Sequence, residues 1–244
     1  MFKILVLCFF TAMLSGAANA QSYNGTSETV EDINRIVFDG NVLLDDVVLE
    51  PIAQGYRAIS TPGVRKAVSN FSNNLDEPRN FINALLQGDL QGGGDSLTRF
   101  LVNSTFGIVG LFDVAGRENV ARQEEDFGQT LAVWGADSGT YLMLPVLGPS
   151  NVRDLSGRVV DTVTSPIGFL ARQTNITAYE YGAKGLGIVS SREANIENIE
   201  SIRRSTLDYY AAVRSFYNQR RQNAIANIDS GENTAARDKA FENF

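Results

Sequence analysis

The chain has 244 residues, 43% of them hydrophobic, with 28 acidic side chains against 21 lysines and arginines for a net charge of −7. It contains no histidine, and its single cysteine is Cys8. An acidic balance disfavours nucleic acid as a partner, the absence of histidine removes the Ser-His-Asp and Cys-His mechanisms, and any metal would have to be held by oxygen ligands alone.

Residues 1–20, MFKILVLCFFTAMLSGAANA, place Lys3 ahead of an apolar run that ends on Ala18-Asn19-Ala20, the layout of a cleaved secretory signal. Cleavage there makes Gln21 the first residue, removes Cys8 and Lys3, and leaves 20 basic side chains against 28 acidic ones, a balance of −8. The exported chain then has neither a disulfide nor a thiol nucleophile. A chain of this length and composition can bury a sizeable core, and no linker-like shift interrupts it, so residues 21–227 are expected to form one domain.

From 28 to 50 the sequence ETVEDINRIVFDGNVLLDDVVLE sets Val30, Ile33, Val37, Leu44 and Val47 at helical spacing. The spacing predicts a core helix, kinked or weakened near Gly40 and ended by Pro51. Thr61-Pro62 reads as an N-cap with proline in the first turn, and Glu77-Pro78 repeats the signal ahead of RNFINALLQG, with Gly88 as a stop; two short helices are expected. Asp95 is the expected cap of SLTRFLVNST. Between 116 and 168 glycine and proline are frequent and alternation is short, which predicts short helices and turns. Residues 192–227 carry Ile196, Ile199, Ile202, Tyr209, Val213 and Phe216 on one stripe, with glutamates early and arginines late, which predicts one long helix. The tail, 228–244, is polar and is expected to be disordered. The fold class expected is all-α, with many short helices and a long C-terminal one.

The segment NSTFGIVGLFDVAG at 103–116 stands out. The apolar stretch FLVNSTFGIVGLF would reach about 20 Å as a helix, against the ~30 Å hydrocarbon core of a bilayer, so it cannot span one. Gly107 and Gly110 are hinge candidates that would let the chain bend back, with the hydroxyls of Ser104 and Thr105 available to the backbone groups the bend frees. Such a bend fits a hairpin dipping to half the depth of a bilayer, although periodicity alone favours a buried core helix with a glycine stop. GTYLMLPVLG at 139–148 is a second apolar, glycine-flanked stretch, and two such stretches suggest a surface that meets lipid. The membrane-facing candidates are Phe106, Ile108, Val109, Leu111 and Phe112 in the first, and Leu142 and Leu144 in the second.

Asp45-Asp46 and Glu124-Glu125-Asp126 contain the residue types of a general acid/base pair or an oxygen-ligand metal site, yet their spacing matches no known binding loop, and solvated helix ends account for them; no metal and no cofactor are expected. Arg153-Asp154 reads as a structural ion pair, with a phospholipid head group as the alternative partner for the arginine. The rival to a lipid-handling protein is a carboxylate-based hydrolase dependent on Asp126 or Asp154.

The blocks LEPIAQGYR (49–57), VSNFSNNLDEPRNFINALLQGD (68–89), RFLVNSTFGIVGLFDVAG (99–116), EDFGQTLAVWG (125–135) and YLMLPVLGPSNVRD (141–154) resemble, in order and spacing, the MlaA (VacJ) family. The resemblance runs from about 28 to about 222. It implies a ring-like assembly of helices in the periplasmic leaflet of a Gram-negative outer membrane, surrounding an amphipathic channel. It also implies complexes with a trimeric porin, removal of phospholipids that have strayed into the outer leaflet, and their delivery to a soluble periplasmic carrier, without covalent catalysis. A porin-associated protein with a purely structural role is the alternative. Family members are usually lipid-anchored through a cysteine just after the signal, where this sequence has Ala20-Gln21; outer-membrane association is expected through apolar surface or a porin, with a soluble periplasmic pool as the alternative.

Overall fold

The computed structural model describes residues 28–175 and 177–227. The expected signal (1–20) and polar tail (228–244) lie outside them. In chain order the helices are α1 (Glu28–Leu44), a π-helical turn (Asp45–Leu49), α2 (Glu50–Ile59), α3 (Pro62–Gln87), α4 (Leu90–Thr105), α5 (Val114–Arg117) and α6 (Phe127–Val133); then a hairpin β1 (Tyr141–Leu144) and β2 (Gly148–Asn151); then α7 (Val152–Thr164), α8 (Pro166–Gln173), α9 (Thr177–Ala194), α10 (Ile196–Ser205) and α11 (Tyr209–Ile225). The all-α expectation holds.

Several boundaries differ from the sequence expectation, each for a local reason. Pro51 does not end the first helix and Gly40 does not interrupt it: the π turn at Asp45–Leu49 re-registers the backbone, so that proline, which has no N–H to donate, falls in the first turn of α2. Pro78 likewise lies inside α3, which runs unbroken from the Thr61 cap to Gly88, whose φ of 83° closes it in the left-handed region. The cap of α4 is Asp89, which accepts from the Gly92 N–H, and Asp95 lies within the helix. The hairpin at 141–151 was not anticipated among the turns. The expected single helix over 192–227 is divided at Asn195 and again at Thr206–Asp208, where Asp208 accepts from the Ala211 N–H and starts α11.

The hairpin owes its place to α1. Its β1 edge pairs with β2, Tyr141 opposite Asn151 and Leu144 opposite Gly148, while the other edge is met by side chains. Asn34 donates to the Tyr141 carbonyl (3.0 Å) and accepts from the Met143 N–H (2.7 Å). Asn41, two turns on, does the same for the Leu144 carbonyl (2.9 Å) and the Val146 N–H (2.8 Å). Two asparagines at i and i+7 thus substitute for a third strand. Over this edge packs the main apolar cluster, Phe38, Tyr141, Met143 and Tyr210, flanked by Tyr209, Val213 and Tyr217, with the rings in edge-to-face contacts.

Elsewhere the interior is polar. Half of the buried apolar residues among those described are alanines, whereas the largest fully buried side chains are Gln129, Glu77, Asn34, Asn80, Thr130, Ser96 and Ser150. Large apolar side chains are instead exposed on nearly every helix, from Ile36 and Leu43 to Phe169 and Ile188. Soluble proteins show the opposite distribution, and it is a buried polar set beneath an apolar surface that carries information. No helix among the described residues is long and apolar enough to cross a membrane.

Candidate functional site

The most pronounced apolar projection is the bend that follows α4. Phe106 is 77% exposed and Val109 61%, and Ile108, Leu111 and Phe112 are exposed beside them. The core-helix alternative for this segment therefore does not hold. Ile108 and Val109 sit at φ of 53° and 56°, a left-handed conformation that is strained for β-branched residues by about 1–2 kcal/mol each.

The backbone of the bend closes on itself. The Val109 N–H donates to the Ser104 carbonyl (3.0 Å), that of Gly110 to Asn103 (2.8 Å) and that of Phe112 to Gly107 (2.9 Å). The hydroxyls of Ser104 and Thr105 do not serve the freed groups as expected: Thr105 donates back to the Leu101 carbonyl and Ser104 Oγ accepts from Asn74. Both glycine hinges are required. A Cβ at Gly107 would lie 2.2 Å from the Phe112 carbonyl oxygen, and one at Gly110, where φ is 89°, would lie 2.5 Å from the Asn74 side chain.

A buried polar network holds the strained loop from below. Arg99, 4% exposed, donates to Glu77 (3.0 Å), to both carboxylate oxygens of Asp113 (2.9 Å each) and to the Val120 carbonyl (2.7 Å). Asn103 donates to Asp113 and accepts from the Ala115 N–H, each at 2.9 Å. Burial tends to raise the Asp113 carboxyl, but the Arg99 charge outweighs it and holds the group below its usual range. Glu77, more deeply placed, is pushed up by burial although Arg122 and Arg99 oppose the shift. Asn74, Glu77, Asn80 and Asn83 lie on one face of α3 at spacings of three, so the buried face of the longest helix is its polar one.

The second stretch projects at a different place from the one expected. Leu142 and Leu144 are only half-buried on β1, whereas Val146 and Leu147 at the hairpin tip are 72% and 62% exposed. Val146 also has a positive φ, 67°, and is held there by Asn41; Arg158 donates to the carbonyls of Leu147 and Pro149, both at 3.3 Å. YLML is apolar at all four positions, so the alternation that marks a strand shows only in its burial, with Tyr141 and Met143 inward, and the sequence carried no signal that placed the tip at Val146 and Leu147.

The acidic candidates are internal ion-pair partners. Asp154, 4% exposed, accepts from Asn151 (2.8 Å), Tyr217 (2.5 Å), Arg153 (3.0 Å) and Arg221 (3.0 Å). Arg153 is buried against it and the Ala136 carbonyl, which fits the structural ion-pair reading. Asp126 caps α6 through the Gln129 N–H and is bound by Arg221 at 2.6 Å; burial favours the neutral acid, but the Arg221 hydrogen bonds and charge prevail and hold the carboxyl low. One guanidinium thus serves both carboxylates on which a hydrolase would depend. Glu125 is no solvated helix end: it is buried, receives a hydrogen bond from Gln87 (2.7 Å), and burial raises its carboxyl to about 7. Asp45, Asp46 and Glu50 offer carboxylate oxygens within 4.8 Å of one another, and each is paired, by Arg192 (2.7 Å to Asp45, 3.1 Å to Glu50) or by Arg203 (2.5 Å to Asp46), tying the π turn to α9 and α10.

Residues 26–224 match the family model described as MlaA lipoprotein. The chain is 32% identical over 225 residues to the intermembrane phospholipid transport system lipoprotein MlaA of Haemophilus influenzae, covering 90% of this chain and 88% of that one. It is 31% identical over 223 residues to the protein of the same name in Escherichia coli K12, covering 89% and 86% respectively. An uncharacterized protein of Rickettsia felis is 31% identical over 212 residues, covering 86% of this chain and 83% of its own length. A solved structure concerned with the "Structural basis for maintenance of bacterial outer membrane lipid asymmetry" superposes with a TM-score of 0.71 at 32% identity, covering 82% of this chain and 100% of that one. The family model, the relatives and the shared fold agree: the chain belongs to the MlaA lipoprotein family.

Proposed function

We propose that this protein is the outer-membrane-associated component of an intermembrane phospholipid transport system. Exported and seated in the periplasmic leaflet, it takes phospholipids mislocalised to the outer leaflet through an amphipathic passage among its helices and hands them to a soluble periplasmic carrier, working beside a porin trimer. The relatives' names and the lipid-asymmetry subject of the matched structure support the role. The observation that carries it is the inverted distribution of side chains: apolar projections at 106–112 and 145–147 over an interior of asparagine, glutamate and arginine. A surface of that kind is stable in hydrocarbon, and polar groups inside lower the cost of moving a charged head group past it. The same surface attaches the protein to one leaflet, and the reading assigns it no covalent step.

The test is Val109→Asp. Val109 is exposed, so the variant keeps its fold in solution, while a carboxylate at the apex of the bend opposes insertion into hydrocarbon by about 2–3 kcal/mol. In a strain lacking the native gene, the variant is expected to accumulate normally and fail to restore the detergent resistance of the outer membrane. Full restoration would reject the membrane-facing assignment.

A further inference from the structure

A cavity of about 110 Å³ opens where α3, the start of α6, and the junction of α7 and α8 meet. Its wall is apolar, with Ile82 and Leu86 of α3, Phe127 of α6 and Val160 of α7, and its charged members are Arg79 and Asp161. Ile82 and Leu86 are also exposed on the outer face, as are Val159 and Val163 on α7, so the pocket adjoins the apolar surface of the molecule. Pockets that hold amphipathic ligands have this composition, an apolar wall with a few converging polar groups.

The two charges are positioned with donor and acceptor capacity left over. Arg79 donates through Nε to the Glu125 carbonyl at 3.2 Å, and its Nη1 stands 3.7 Å from the exposed Asp76, beyond hydrogen-bond range. Asp161 accepts one hydrogen bond at each oxygen, from Asn83 Nδ2 (3.0 Å) and from the Phe127 N–H (2.9 Å), and a carboxylate oxygen can accept a second. Burial raises the Asp161 carboxyl despite those bonds and the Arg79 charge, the condition in which an added cation is most favourable. The remaining lining residues are uncharged, so the pocket pairs one cation with one anion and is neutral as a whole.

Resting on the transport reading above, we propose that this pocket is a head-group subsite selective for a zwitterionic aminophospholipid, with Arg79 taking the phosphodiester, Asp161 the ammonium, and Ile82 and Leu86 the first segments of the acyl chains. An anionic phosphatidylglycerol head would satisfy Arg79 and leave neutral hydroxyls, in place of an ammonium, against the half-buried Asp161 carboxylate. A charged contact of this kind separates the two lipids by about tenfold in affinity.

The experiment is native mass spectrometry of the full chain in detergent, exchanged against equimolar phosphatidylethanolamine and phosphatidylglycerol. The wild type is expected to carry about ten phosphatidylethanolamines for each phosphatidylglycerol. Asp161→Asn should bring the ratio close to one, and Arg79→Gln should lower the occupancy of both. Since Asp161 also holds the Phe127 N–H, Arg79→Gln, at a partly exposed side chain, gives the result that does not depend on the fold of the first variant. Lipid bound by the wild type at a ratio near one, or unchanged occupancy in Arg79→Gln, would overturn the subsite and leave the transport reading standing. Binding of neither lipid would overturn both.

Discussion

The two apolar projections are built by the same device on different supports. At 106–112 the chain leaves a helix, and at 145–147 it leaves a strand, yet in each a β-branched residue is held at positive φ with its side chain outward and an asparagine meets the backbone at its base, Asn103 in the first and Asn41 in the second. The difference lies underneath. The bend stands on the buried Glu77–Arg99–Asp113 network, whereas the hairpin tip rests on Asn41 and on two long contacts from Arg158. Strained backbone persists where surrounding structure over-determines it, and the bend is the more firmly determined of the two.

The largest way to break that contrast is Arg99→Ala. It leaves the buried Glu77 with Arg122 alone, at 3.6 Å, and the partly exposed Asp113 without its cation, and a loss of about 3 kcal/mol is expected in denaturant unfolding, with early hydrogen exchange at 106–115. A loss below about 1 kcal/mol would mean that the network does not hold the bend. At the hairpin, Asn41→Ala removes two partly exposed hydrogen bonds, and about 1–2 kcal/mol is expected, with faster exchange confined to 144–148.

A smaller effect follows from pH. Glu125 has a carboxyl raised to about 7 from the 4.5 of an ordinary glutamate. Its neutral form is the one the fold favours, so its contribution to stability is full below about 4.5 and is lost as pH rises through 7. Glu77 and Asp161, raised by burial as well, act in the same direction, whereas Asp113 and Asp126, held low, withdraw their stabilisation only on strong acidification. Thermal unfolding should therefore show a melting temperature that falls between pH 4.5 and 7, and Glu125→Gln should flatten that slope. A slope unchanged by the substitution would place the titration elsewhere.

The bend at 106–112 was legible in the sequence because it is local, whereas the apolar side chains exposed along the other helices, Val47 and Phe216 among them, were read as core stripes or passed over. Gly107 and Gly110 announce the bend, and the 13-residue limit on the apolar run excludes a span. The polar interior was not legible, since periodicity arguments assume that the polar face of a helix meets water. In NFSNNLDEPRN that assumption turns the buried face of α3 outward and makes Glu77-Pro78 look like a helix start, when Glu77 is in fact the partner of Arg99. The division of 192–227 was missed for a related reason: Ile196, Ile199 and Ile202 continue the stripe of α11 in sequence, while Asp208 interrupts it by capping a new helix. Tertiary ion pairs, such as Arg221 to both Asp126 and Asp154, join segments too distant in sequence for any spacing to reveal.

The central claim is that both projections enter hydrocarbon from one side and stop within a leaflet. It is tested most directly by placing a nitroxide at Val109→Cys and at Val146→Cys, with Arg204→Cys as an aqueous reference, in protein bound to vesicles, and measuring depth from collisions with oxygen and with a water-soluble nickel chelate. The account predicts that labels at 109 and 146 both lie within the hydrocarbon, at no more than about half its ~30 Å thickness, while the label at 204 remains in water. Labels at 109 and 146 as accessible to nickel as the label at 204 would contradict it.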